Sequence, residues 1–458
     1  MTPICRILGA VCAILLLGRA SVAGAAGEVD ALLDRLRAEA PRGQGGLHAR
    51  MDAALALARM GPAGVDPLLT ALAHPRAEVR AHAAVALGQI GDPRAAAPLV
   101  QRLDDDEGQV AVRAGRALVE IGPPAVTALT RVEERAGPRA RLLAARALGR
   151  IGGAEALDAL ADLAADTSAP VRREAVLSLG GLADPQGVPA FTGALADRDW
   201  RVRSAAAWAL GRMGAAAVEP LLAELGAPQE SAREAAARAL GRIGPDAVPA
   251  LVDALDHADA LVRAHAAQAL GEVGDARAAD ALGPLVRDAD PAVRMRAARA
   301  LGRIGDERAV GPLAACLDAD DPELRKAAVL ALGRIGPAAA GALARALEDP
   351  DAQVRRWAAH GLGEARAQNA VDGLVEALED PDRAVRLAAA KALAATQDPR
   401  AVGPLIDFLG RVNESRDLKA LIVALDALER ATGRNFGVQW DKAYQGWRAW
   451  WQERRADE

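Results

Sequence analysis

Apolar and polar positions along this chain follow a cycle that resets every thirty or thirty-one residues. Residues 290–318 show one cycle. Val293, Ala297, Ala298, Leu301 and Ile304 recur at helical spacing and predict a buried stripe on a first helix. Asp290 and Pro291 open that helix, because Asp accepts from free N–H groups and Pro suits the first turn. Gly302 permits close packing, and Gly305 ends the helix. Asp306 then predicts the cap of a second helix, with Val310, Leu313 and Leu317 on its buried face. The motif leucine stands at Leu57, Leu87, Leu118, Leu148, Leu179, Leu210, Leu240, Leu270, Leu301, Leu332, Leu362 and Leu393. One such helix pair cannot bury its apolar face alone, so the pairs must stack. The predicted fold is all-α, an α-solenoid of about twelve to thirteen helix pairs with terminal caps.

The signature D-P-x-V-R-x-x-A-A-x-A-L-G-R-I-G-D-x-R-A-V-x-P-L runs nearly whole at 290–313 and 380–405. Over residues 45–410 the chain resembles HEAT repeats of the short bacterial type found in phycobilin lyases. The resemblance implies a right-handed superhelix whose first helices line a concave face. It also implies that the arginine after the Val forms a structural ladder. That row is Arg50, Arg80, Arg141, Arg172, Arg203, Arg233, Arg263, Arg294, Arg325, Arg355 and Arg386. Turn carboxylates such as Asp321, Asp349 and Asp380 are its expected partners; an anion-binding row is the other role these arginines fit. Ala111 breaks the row just after the acidic run 104–107, and a looser joint or a bend is expected there.

The ends depart from the cycle. Residues 1–25 read as an export signal, with Arg6, an apolar run over 7–18 and small residues before a cleavage point near Ala23 or Ala25. That run is too short for a comfortable membrane span. An exported protein of the periplasm or outside the cell is therefore expected, with no stable span after cleavage. Residues 26–44 hold a cap helix and linker, with Leu32, Leu33 and Leu36 inward. Beyond 410 the repeat decays. Trp440, Tyr444, Trp447 and Trp451 are spaced four, three and four apart on one helical face. They fit an aromatic cap over the last repeat, or a docking site for a partner or sugar ring.

Composition narrows the chemistry. The chain is 51% hydrophobic but 2% aromatic, so small side chains and leucine fill the interior. Cys5 and Cys12 lie in the signal, which leaves Cys316 as a small buried hydrophobe and no internal disulfide. Beyond the signal, 54 basic side chains meet 61 acidic ones, a net of −7, which opposes general nucleic-acid binding. Turns such as 349–351 and 380–382 lack the glycine and distal glutamate of a calcium loop. None of the histidines precedes a glutamate, so the His-Glu pairs of the iron-binding deoxyhypusine hydroxylases are missing. No metal, cofactor or catalytic residue is expected.

Two positions per repeat, two before and two after the motif leucine, lie four apart on one face of the first helix. They read Arg146 and Arg150, Trp208 and Arg212, Arg238 and Arg242, Arg299 and Arg303, then Leu330 and Arg334. Gln268 and Glu272, and His360 and Glu364, interrupt the row. Arg and Trp are common anchors at interfaces, although Arg near a helix C-terminus also serves the helix dipole. The expected function is a non-enzymatic scaffold of the cell envelope that binds a protein or an acidic polymer on this ridge. The alternative is a lyase-like or accessory subunit acting on a small ligand near Trp208 or Trp357.

Overall fold

The computed structural model describes residues 27–38, 44–132, 136–437 and 439–456. The signal expected over 1–25 lies outside them. Among the described residues there are helices and 3-10 turns but no strand. The chain is an α-solenoid that divides into two units, residues 1–213 and 214–458.

In the first unit the first helices are Ala77–Ile90, Gly108–Ile121, Pro138–Ile151, Ala169–Leu182 and Trp200–Met213. Each packs on the next. In the second unit the series is Glu230–Ile243, Ala260–Val273, Pro291–Ile304, Pro322–Ile335, Ala352–Glu364, Arg383–Thr396 and Leu418–Thr432, again packed in order. Asp290 caps its helix as its sequence demands, accepting from Ala292 N at 2.8 Å and Val293 N at 3.3 Å. Gly305 closes the same helix at φ 72°, a left-handed conformation that favours glycine. Gly302 sets the spacing between neighbours. A Cβ there would stand 2.6 Å from the Cα of Ala331 on the next first helix, a distance no real contact tolerates.

The second helices differ from the expectation. The structure gives a short α-helix, Val310–Ala315, between the 3-10 turns Glu307–Ala309 and Cys316–Asp318. Asp306 does cap, but it caps the 3-10 turn by accepting from Arg308 N at 2.9 Å. With three residues per turn, the side chain three after Leu313 repeats its direction. Cys316 is therefore buried, at 3% exposure, while Leu317 is only half-buried. Burial raises the Cys316 thiol to about 11, so it stays protonated and serves as core.

Six arginines build the ladder. Arg80, Arg141, Arg172, Arg263, Arg325 and Arg355 each hold a carboxylate from the next turn: Asp105, Asp166, Asp197, Asp288, Asp349 and Asp380 in that order. Their Nη1 groups also donate to carbonyls of the turn before their own helix, as Arg355 does to Asp349 O at 2.8 Å and Pro350 O at 3.0 Å. Asp321, an expected partner, instead caps Pro322–Ile335 through Glu323 N. In the acidic run beside Ala111, Asp105 grips Arg80, and Asp104 accepts from Gly137 N at 3.2 Å.

At the N-terminal end, residues 27–37 are helical and bury Leu32, Leu33 and Leu36. Arg50 leaves the ladder pattern there and donates to Ala38 O at 3.3 Å.

Candidate functional site

The arginines of the row, with Trp208 and Leu330, are exposed, because the motif leucine and the alanines around it turn the opposite side inward; Gln268 is half-buried. In the first unit Arg146 is tied to Glu174 of the next helix at 2.7 Å, while Arg150 has no ion pair among the described residues. Trp208 is 37% exposed, and the Arg212 guanidinium lies 5.1 Å from its ring centroid, a cation–π contact. Trp200, at 62% exposure beneath Arg201, is a larger exposed ring that sequence reading missed. It occupies the Pro291-like position at the helix start, where sequence alone gives no inward or outward signal.

In the second unit Arg238 meets Glu234 at 3.5 Å and Arg303 meets Glu272 at 3.9 Å. Arg242, Arg299 and Arg334 have no ion pair among the described residues. Arg299 and Arg303 come together in a groove of about 330 Å³, walled also by Arg296, Met295, Gln268 and Glu234. Leu330 continues the exposed face, while His360 and Glu364 contact each other at 3.7 Å. Trp357 is half-buried, edge-on to His360 at 5.6 Å and beneath Arg356 at 5.1 Å.

Several contacts between neighbouring first helices come from one position, five before the motif leucine. It holds Glu174, His265 and Arg296. Arg296 crosses two neighbouring helices, donating to Gln268 and to Glu230, the latter at 3.1 Å. His265, 1% exposed, donates from Nδ1 to Leu261 O at 2.7 Å and places Nε2 3.4 Å from Glu230. His82 is equally buried in the first unit, with neither ring nitrogen bonded among the described residues.

Burial lowers the pKa of both histidines; Arg113 and Arg50 add to the effect at His82, as does Arg296 at His265. An unfolded chain would take up these protons near pH 6.5, but the folded chain resists until lower pH. Stability is therefore full above pH 6.5 and falls as acid is added. Asp105, Asp166, Asp197, Asp288 and Asp380 of the ladder, held below 3.8, keep their contribution through that window. We expect melting temperature to drop between pH 7 and 5, and the drop to shrink in His82→Gln/His265→Gln. An unchanged pH slope in the double variant would reject this account.

The aromatic tail forms the helix Trp440–Ala456. The Trp440 side chain lies outside the described residues. Trp447 is 1% exposed, and its ring meets Phe436 edge-on at 4.8 Å and Trp450 at 5.6 Å. Tyr444 and Trp451 lie over Gly410 and Gly403 of the helix Val402–Ser415; added Cβ atoms there would stand 3.0 and 3.4 Å from their rings. The two glycines are seven residues apart, two turns of helix, and make a smooth strip for the aromatic face.

The sequence matches HEAT repeats in six overlapping segments, 29–114, 98–179, 163–225, 218–290, 280–345 and 339–426. The chain belongs to the HEAT repeats. Among solved structures it is similar to Kap95p, described with RanGDP, at 15% identity and a TM-score of 0.47, over 88% of this chain and 66% of that one. Importin beta aligns at 15% identity and a TM-score of 0.45, over 94% of this chain and 71% of that one. The phycocyanin lyase pair CpcE and CpcF from a Nostoc species aligns at 26% identity and a TM-score of 0.30, over 50% and 92%. No curated protein matches the sequence.

Proposed function

We propose that this HEAT-repeat chain is a non-enzymatic scaffold that binds an acidic protein surface along its first helices, in the bacterial envelope after export. The supporting observation is the uncommitted arginine on that face. Arg150 in one unit, and Arg242, Arg299 and Arg334 in the other, are exposed and carry no ion pair among the described residues. Arg212 on Trp208 adds a flat, partly apolar anchor of the kind that dominates interfaces. Stacked repeats offer extended surface rather than an enclosed pocket, which suits a macromolecule better than a small substrate. The export assignment rests on the residue pattern of 1–25.

Affinity capture from envelope extract tests the reading, with the chain beyond residue 25 as bait beside Arg238→Glu/Arg242→Glu/Arg299→Glu/Arg303→Glu. The variant is expected to lose the captured partner by about tenfold or more, since like charges facing each other repel. Capture should also weaken with added salt. A partner retained equally by both baits would reject the face. Mass measurement of the exported chain tests the signal; an intact N-terminus would reject cleavage.

A further inference from the structure

The arginine ladder is filled unevenly, and one vacancy has the makings of a binding site. In a filled rung the guanidinium does two things. Nη1 bonds the turn before its own helix, and Nε with Nη2 grips an aspartate 24 or 25 residues ahead. At Arg386 the first task is intact, with Nη1 donating to Asp380 O at 2.7 Å and Pro381 O at 3.0 Å. The side chain is thus held in the ladder pose. The residue 25 ahead is Arg411, and no acidic side chain among the described residues bonds the remaining fork.

The nearby acids are already committed. Asp380 belongs to Arg355, Glu379 to Arg411 at 2.6 Å, and Asp417 to Arg383. Asp382 is taken up in capping its own helix through Ala384 N and Val385 N, so of these four guanidiniums Arg386 is the one whose fork holds no carboxylate among the described residues. It lines a cavity of about 330 Å³ with Arg383, Arg411, Phe408, Glu379 and Asp417. Arg411 lies over the Phe408 ring at 5.9 Å, which restrains the replacement side chain as well.

We propose that this cavity binds a carboxylate, which completes the rung by taking the place an aspartate holds in six other repeats. A planar two-oxygen group matches the Nε–Nη2 fork in bidentate fashion. The guanidinium is pre-organised by its two carbonyl bonds, so little freedom is lost on binding. The source is either an acidic residue of a bound polypeptide or a free carboxylic acid. The site lies apart from the exposed first-helix row, so charge reversal at Arg299 and Arg303 leaves it intact.

Calorimetric titration of the full chain at fixed ionic strength tests it, with three probes: an end-blocked tetra-aspartate peptide, citrate and inorganic phosphate. Both carboxylate probes are expected to bind, and Arg386→Gln to weaken them about tenfold or more. Arg411→Asp supplies the missing ladder carboxylate from within the chain. It is expected to abolish binding while keeping the fold, which covers the case in which Arg386→Gln does not fold. A peptide that binds more tightly than citrate identifies a polypeptide acid as the source, and equal binding identifies a free acid; each upholds the site. Absence of carboxylate binding, phosphate binding as tight as carboxylate, or undiminished binding by Arg411→Asp would overturn it.

Discussion

Replacing Arg355 by leucine is expected to cost about 2–3 kcal/mol of stability, the upper range for losing charge-assisted hydrogen bonds in a largely enclosed pair. Its guanidinium donates to Asp380 at 2.6 and 2.9 Å and to the carbonyls of Asp349 and Pro350 at 2.8 and 3.0 Å. The side chains of Arg355 and Asp380 are 13% and 7% exposed, so solvent cannot take over those bonds. Burial alone would raise the Asp380 carboxyl; the Arg355 bonds and the N–H of Asp382 overcome this and hold it below its usual range. A lowered carboxylate pKa stabilises above pH 3.8, and that stability is lost as pH falls through the folded-state value. Hydrogen exchange should show the loss in Ala352–Glu364 and Arg383–Thr396 first, because an array unfolds from its weakest interface. Arg355→Leu/Asp380→Leu should be milder, since no charge is then left buried alone. A loss below about 1 kcal/mol, typical of a solvated surface pair, would show that the rung adds little.

The first helices were legible because each position obeys a strong local rule. Asp290 caps, Gly305 takes positive φ, and the leucine stripe has only one way inward. The ladder was legible as a row of arginines but only partly as pairs. Asp349 and Asp380 were named as partners; Asp321 was named too, yet it caps a helix instead. Those two turns carry several carboxylates, and which one faces the arginine depends on the 3-10 turn before it. That turn was itself invisible, because Leu313 followed by Leu317 reads as α-helix; Cys316 is buried as expected, but Leu317 is only half-buried. The exposed arginines stood where their spacing placed them. Their counter-charges did not show, because Glu174 to Arg146 and Arg296 to Glu230 join helices rather than neighbours in sequence. Charge balance on that face is a property of the stack, so a single repeat read alone overstates how basic it is.

Trp447→Ala is expected to cost about 3–5 kcal/mol, the range for truncating a buried large aromatic side chain. Of the aromatic side chains described in the last helix, it is the one that is fully enclosed. Its two edge-on ring contacts add about 0.5–1.5 kcal/mol each beyond the buried area. Trp447→Phe is expected to cost far less, because it keeps much of the apolar volume and also removes a buried Nε1–H with no partner among the described residues. Leaving such a donor unpaired costs about 1–3 kcal/mol, which offsets much of the lost ring area. The effect should concentrate in Val402–Ser415, the helix that carries Gly403 and Gly410. Exposing that strip would bare apolar surface at the end of the stack, so the alanine variant should also gain dye binding and self-association. Equal losses for alanine and phenylalanine would mean that ring shape, not volume, holds the tail in place. Near-zero loss for both would mean that the tail is not a cap, and its aromatic face would then have to be explained by binding.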